Sequence, residues 1–365
     1  MTKLEIKDLS MRYQRKYILD NLCLEVESGE LVVILGESGC GKTSLLKVIA
    51  GILEHETGRI FVDGVDISNL SPQKRNIGYV PQGQILFPHM KVKDNVIFGL
   101  KAKKLPREQI KEKLEWIVNL TEIKDLLDRY PHEISGGQKQ RVALARSMVT
   151  NPKILLLDEP LSSIDASGRE ALALTIRRIQ KETETTTLYV THNQEEARLI
   201  GDRVAIMYDG KVQQIGKIIE VDRKPLNYLT AKIMGSLNVF PVSFYSINKE
   251  NDNFVIVDTT IGQMKIPLSD TQRRKKITGI KIPPTEIKIS TIEKKLSEEK
   301  ESVIKKGIIK SVIEIGKSLF RIVVEIQGEN IEYLKVDTEN KELVNYLKTN
   351  QNVTLEIASE KVVLL

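Results

Sequence analysis

The stretch LVVILGESGCGKTSLLKVIAGI (31–52) constrains the fold more than any other. LVVILG is a short, unbroken apolar run, as a parallel strand buried on both faces requires. TSLLKVIAGI (43–52) continues it as a helix. Between them, Gly36 to Thr43 matches the pattern GxxxxGK[ST], placed between strand and helix where a phosphate loop has to sit. Glycines let backbone N–H groups turn toward a phosphate, and the following helix offers its positive end. Nucleotide binding, of ATP or GTP, is therefore expected at Gly36, Ser38, Gly39, Cys40, Gly41, Lys42, Thr43 and Ser44. Lys42 supplies a mobile cation for the β- and γ-phosphates, and Thr43 a hydroxyl for Mg²⁺. Cys40 is read as filling a small slot in the loop rather than as a nucleophile.

At 365 residues the chain is long enough for two or three domains. Its net charge of +6 is spread over that length, so a solvated surface explains it as well as an anionic partner does. Two cysteines, Cys23 and Cys40, make no disulfide framework and suit a reducing compartment. MTKLEIKDLS has no apolar leader, and neither LVVIL (31–35) nor ILLL (154–157) approaches the roughly 20 residues that span a bilayer.

Up to about residue 235, strands and helices alternate in the manner of an α/β layer architecture. Strands are expected at 4–6, 18–26, 77–82, 152–160 and 185–192, with hairpins around Asp63-Gly64 and Asp209-Gly210. Residues 86–130 read as mostly helical. Beyond 235 the texture becomes short strands and polar turns, the pattern of a small barrel or sandwich. The basic run TQRRKK (271–276) is read as a loop, and TIEKKLSEEKESVIKK (291–306) as an exposed connection.

Several polar residues fall at strand ends. LLLDEP (155–160) brings Asp158 to the end of an apolar strand, a position for a carboxylate that holds Mg²⁺. Glu159 follows it, placed to polarise an attacking water as general base. Gln82 closes IGYVPQ, its amide suited to Mg²⁺ or to orienting water. His192 closes LYVTH, within reach of a γ-phosphate or that water.

Taken together, these motifs resemble the nucleotide-binding subunits of ABC transporters, in six ordered pieces from the N-terminus to about residue 235. GESGCGKTS looks like their Walker A loop, Gln82 their Q-loop glutamine and ILLLDEP their Walker B segment. ISGGQ (134–138) resembles the signature LSGGQ, with Ile134 for leucine. LSSIDA (161–166) resembles the D-loop, centred on Asp165, and His192 matches the switch histidine. The resemblance implies a P-loop NTPase (RecA-like) domain over 1–235, with a helical subdomain at about 86–150. It makes residues 236–365 an OB-like (TOBE) regulatory domain, all-β, as attached to importer ATPases. It makes the chain an ATPase using ATP and Mg²⁺, with Glu159, His192, Lys42 and Gln82 catalytic and Thr43, Gln82 and Asp158 toward the metal. Tyr13 holds the position of the adenine-stacking aromatic, with Tyr17 a nearby competitor.

In that family two copies face head to tail, and each ATP lies between the phosphate loop of one and the signature of the other. Ser135, Gly136, Gly137 and Gln138 would then contact a partner copy's nucleotide. Residues 138–141 are expected to begin the helix after it, where an anion is attracted. The motion must pass to membrane permease subunits, with Leu86, Phe87, Pro88 and Met90 as contact candidates or core residues. An extracytoplasmic solute-binding protein is implied indirectly, and the chain itself would lie peripherally on the cytoplasmic face of the membrane. The wording around residues 71–104 looks closest to molybdate, tungstate or sulfate importers, with iron, polyamine and sugar importers as alternatives. A nucleic-acid-associated ATPase is the rival class. It lacks an aromatic–basic stacking strip, so nucleic acid is not an expected partner.

Overall fold

The computed structural model describes residues 2–83, 85–247, 254–268, 276–290, 302–316, 318–327 and 331–365. It divides into two compact units, Met1–Arg223 and Lys224–Leu365, so the division falls twelve residues before the expected boundary after residue 235. Residues 271–275 of the basic run and 291–301 of the charged run lie outside the described residues.

In the first unit the strands are β1 (Leu4–Tyr13), β2 (Lys16–Val26), β3 (Leu31–Leu35), β4 (Thr57–Val62), β5 (Val65–Asp66), β6 (Ile77–Val80), β7 (Ile154–Asp158), β8 (Thr186–Thr191), β9 (Arg203–Tyr208) and β10 (Lys211–Lys217). The helices are α1 (Lys42–Ile49), α2 (Val92–Ala102), α3 (Arg107–Thr121), α4 (Gly136–Met148), α5 (Ala166–Thr183), α6 (Gln194–Ile200) and α7 (Ile218–Arg223). A six-stranded sheet runs β10-β9-β3-β8-β7-β6, and a separate antiparallel sheet runs β2-β1-β4-β5. The five strands from β9 to β6 are mutually parallel; β10 pairs with β9 as the hairpin expected around Asp209-Gly210.

Both faces of the parallel strands are buried, which explains why they read as continuous apolar runs. Leu31, Val33, Leu155, Leu157 and Tyr189 pack with α2 to α6 through residues such as Val96, Leu144 and Ile176. Val32, Ile34, Leu156, Leu188 and Val190 pack the other way, against α1 and the antiparallel sheet through Leu45, Leu22 and Ile60. Helix α1 ends at Ile49, earlier than the expected 52, and Gly51 follows at φ 77°.

A buried arginine secures the end of α1. Arg75, 5% exposed, donates to the carbonyls of Val48 and Ile49 (both 2.8 Å), Leu70 (2.8 Å) and Ser68 (2.7 Å). The last carbonyls of a helix have no partner within it, and here one guanidinium supplies partners for two of them. A Cβ on Gly51 would lie 2.6 Å from Arg75 Nε, so only glycine leaves room for it.

The second unit contains α8 (Tyr228–Ile233), β11 (Val239–Ile247), β12 (Phe254–Thr259), β13 (Gly262–Pro267), β14 (Gly279–Lys281), β15 (Ile287–Ser290), β16 (Ser302–Gly316), β17 (Leu319–Gln327), β18 (Ile331–Thr338), α9 (Lys341–Tyr346), β19 (Asn352–Ala358) and β20 (Val363–Leu364). Two five-stranded antiparallel sheets, β13-β12-β11-β14-β20 and β15-β19-β16-β17-β18, bury one apolar cluster that includes Phe240, Val257, Ile280, Ile309 and Leu355. These sheets are consistent with the OB-like class, with the short helices α8 and α9 added to the all-β expectation.

Replacing Arg75 with Met keeps the bulk and removes the guanidinium donors from four carbonyls, of which that of Val48 keeps the Gly51 N–H (3.0 Å). It should cost about 3 kcal/mol, read as a lowered urea midpoint of the fluorescence of Trp116, the chain's one tryptophan.

Candidate functional site

Strand β3 stops at Leu35 and α1 starts at Lys42, so the loop between them crosses the carboxyl edge of the parallel sheet. Gly41 caps the helix at φ 107°, and a Cβ there would meet the Ile18 carbonyl oxygen at 2.5 Å. At Gly36 a Cβ would lie 2.3 Å from the carbonyl oxygen of Met207. Both positions therefore need glycine for space, and Gly41 also for its dihedral. Ser38 and Gly39 are exposed on the loop, while Ser44 is half-buried in the first turn of α1. Lys42 is 5% exposed, and its ammonium donates to the carbonyls of Gly36 (2.9 Å) and Glu37 (2.8 Å). Cys40 is buried beside it, and burial pushes its thiol above the usual range. That is the environment of an inert thiol, in keeping with a packing role.

The register collects the other residues at the same edge. Leu35 pairs with Thr191, Asp158 with Val190, and Val80 with Leu157. Asp158 is 1% exposed; Thr43 Oγ1 donates to its Oδ1 (2.8 Å) and the Tyr79 hydroxyl to its Oδ2 (3.1 Å). Burial raises the Asp158 carboxyl pKa, and the two hydrogen bonds act against that rise. Burial next to Asp158 also pushes the Tyr79 phenol far above its ordinary value, so its hydroxyl stays a donor.

Glu159 takes the left-handed conformation at φ 44°, rare for a residue with a side chain. Its backbone N–H still donates to the Val190 carbonyl at 3.0 Å. Its carboxylate meets Gln82 and His192, where that of Asp158 meets Thr43 and Tyr79. Gln82 Nε2 donates to Oε2 (3.1 Å), and His192 Nδ1 lies 3.3 Å from Oε1. Gln82 stands two residues beyond the end of β6, and His192 one beyond β8, so both are in the turns after the strands rather than in them.

A second group surrounds an open cavity of about 710 Å³, lined by Ser135, Gly136, Gly137, Gln138 and Asp165 among others. Ser135 caps α4: its Oγ accepts from Gln138 N–H (3.3 Å) while Gln138 Oε1 accepts from Ser135 N–H (2.9 Å). This reciprocal capping starts the helix at Gly136, two residues before the expected start, and leaves the first N–H groups at its positive end. Within that helix Gln140 is buried, and Arg141 is held by Glu122 at 2.5 Å. Asp165 caps α5 by accepting from Gly168 N–H (2.8 Å).

Tyr13 ends β1 with 68% exposure. Tyr17, 41% exposed, has the Arg12 guanidinium 4.0 Å from its ring centroid and its hydroxyl bonded to the same group. Sequence reasoning missed Tyr79 and Arg12. The only signal for Tyr79 was its place in IGYVPQ, beside a residue already singled out.

A glycine loop at a helix start, a lysine folded into it and a buried carboxylate at the end of β7, two strands along the same sheet, define a P-loop ATPase. The ABC transporter family profile matches residues 19–162. The spermidine/putrescine import ATP-binding protein PotA of Clostridioides difficile is 40% identical over 258 residues, covering 70% of this chain and 74% of that one. The Fe(3+) ions import ATP-binding protein FbpC of Escherichia coli K12 is 41% identical over 240 residues, covering 66% and 69%. A dimeric post-hydrolysis structure of the ATP-binding cassette MJ0796, bound to ADP and Pi, matches with a TM-score of 0.54 at 28% identity, covering 59% of this chain and 98% of that one. The chain belongs to the ABC transporter family, among its import ATP-binding subunits, and is an ATPase. Among the described residues no helix is long and apolar enough to cross a membrane.

Gly41→Ala should force the loop out of register. A strain of about 1–3 kcal/mol corresponds to about five- to 150-fold weaker nucleotide binding, measured by equilibrium titration with a fluorescent ATP analogue.

Proposed function

We propose that this chain hydrolyses ATP between two copies of itself to drive import of a small solute through membrane permease subunits. The observation that carries this reading is the placement of Glu159. Its carboxylate stands between Gln82 and His192, while the buried Asp158 beside it in the chain is bonded to Thr43. Two adjacent acids thus have different surroundings and suit different tasks. Glu159 polarises the attacking water, and Gln82 and His192 orient it. Lys42 and the loop N–H groups hold the phosphates.

Thr43 and Asp158 fit Mg²⁺ by chemistry: both offer hard oxygens, side by side, and the Gln82 amide oxygen is a third candidate. Among the described residues no cluster of three or more His, Cys, Asp or Glu could hold a metal ion. Mg²⁺ held by one or two side chains keeps waters and takes its remaining ligands from phosphates. Bound there, Mg²⁺ neutralises charge on the transferring phosphate.

Tyr13 is the adenine platform in this reading, because the Arg12 guanidinium already covers the Tyr17 ring. Ser135, Gly136, Gly137, Gln138 and Asp165 receive the nucleotide of the partner copy, a role supported by their shared open cavity and by the dimeric cassette relatives. In this reading the first unit, expected from sequence to run to 235, is the nucleotide-binding domain with its helical subdomain at about 86–150, and the second unit, expected from 236, is the regulatory TOBE-type domain.

For the permease, a depression of about 350 Å³ lined by Met90, Asp94, Phe98, Lys101 and Ala102 supports docking near the region read from sequence. Phe87 and Pro88 lie close by in the chain and reach the surface, whereas Leu86 is buried in the core and packs rather than docks. Permease docking puts the chain peripherally on the cytoplasmic face, served indirectly by a solute-binding protein. For the cargo, the relatives compared are named for spermidine/putrescine and for Fe(3+). We therefore favour a polyamine or ferric iron over the oxyanion read from the wording of residues 71–104.

Glu159→Gln should keep ATP binding, lose about 100-fold or more in turnover and elute as a dimer with ATP on size exclusion. Turnover equal to the parent would remove Glu159 as the base. Ser135→Arg should abolish hydrolysis while monomer nucleotide affinity stays at the parent value. Uptake of labelled spermidine, ferric iron and molybdate by cells with and without the gene decides the cargo: loss of molybdate uptake alone would restore the oxyanion.

A further inference from the structure

We propose that Tyr79 is a positioning residue for Asp158: a hydroxyl donor that holds one carboxylate oxygen so that the other, shared with Thr43, is presented to the nucleotide's metal. This rests on the reading of Asp158 as a Mg²⁺ ligand and deepens it.

The sheet dictates the arrangement. In the parallel pair β6/β7, Tyr79 lies opposite Leu156. Side chains alternate along a strand, so Leu156 and Asp158 share one face, and Tyr79 shares it with them. That face packs against α1, where Tyr79 and Leu156 join the same apolar cluster as Leu45 and Leu46. The phenol is long enough to cover the step from Leu156 toward Asp158, and its hydroxyl reaches Oδ2 at 3.1 Å. Thr43 approaches the same carboxylate from α1, at Oδ1 and 2.8 Å. The Tyr79 main chain is tied in turn to α4, through Ser147 Oγ donating to its carbonyl at 3.2 Å.

A carboxylate that is 1% exposed has little access to water, so its orientation depends on protein donors. With Thr43 alone it turns about one bond. With Tyr79 on the second oxygen it is fixed from both sides. Phenylalanine would keep the ring in the cluster and leave Oδ2 without this donor.

The test uses the full chain carrying Glu159→Gln, so that hydrolysis does not intrude, and reads equilibrium binding of a fluorescent ATP analogue in EDTA and against free Mg²⁺. A hydrogen bond to a charged group predicts that Tyr79→Phe needs about tenfold more Mg²⁺ for half-maximal tightening, with EDTA affinity within about twofold of the parent. An unchanged Mg²⁺ midpoint overturns the proposal. So does an equal loss of affinity with and without Mg²⁺, which is what a purely structural tyrosine gives. Asp158→Asn is measured in parallel. If it leaves the midpoint unmoved, the ligand reading of Asp158 fails and takes Tyr79 with it. If Asp158→Asn moves the midpoint and Tyr79→Phe does not, the Tyr79 proposal fails alone. Should Tyr79→Phe not fold, Tyr79→Met also lacks the donor and is read in the same way.

Discussion

The site depends on one constraint, the parallel register of the sheet. Strands that run the same way end at the same edge, and ligands of open α/β sheets lie beyond that edge. Here the pairs Leu35 with Thr191 and Asp158 with Val190 bring three strand ends level. Residues from distant parts of the chain therefore arrive together without any loop having to search for them. A slip of one residue would turn Asp158 to the opposite face of the sheet, away from α1 and Thr43.

The same edge separates two neighbouring carboxylates. Asp158 stays within the strand, buried and bonded by hydroxyls. Glu159 leaves the strand through a left-handed turn that costs of the order of 1 kcal/mol, and its carboxylate meets an amide and an imidazole instead. Strain at this position has a use in the proposed function: a continued strand would put the Glu159 side chain on the sheet face opposite Asp158, away from Gln82 and His192 at the edge.

Cargo is a different matter. Relatives named for a polyamine and for Fe(3+) match this chain at 40% and 41% identity. In the proposed assembly the solute passes through permease subunits and never touches the ATPase. Selection on the cassette then acts on nucleotide and partner contacts, and its wording carries little about what is moved.

Much of the site was legible in the chain because its chemistry is local. GESGCGKT needs glycines, a lysine and a helix start in one short run, and ILLLDEP needs an apolar strand with an acid at its end. The two-part texture, with strands and helices before about residue 235 and short strands after it, was legible for the same reason: periodicity is a property of neighbours. What sequence did not decide was set by contacts between distant segments. Tyr79 reaches Asp158 across 79 positions, and Arg75 takes carbonyls of α1 from another segment. The start of α4 at Gly136 was legible in Ser135-x-x-Gln138, a local capping pattern overlooked in the expected start at Gln138, whereas whether Leu86 docks or packs depended on burial. The amino-acid sequence determined which groups are present and on which elements they ride. Only tertiary structure decided which oxygen faces which donor, because those distances exist only once the strands are paired.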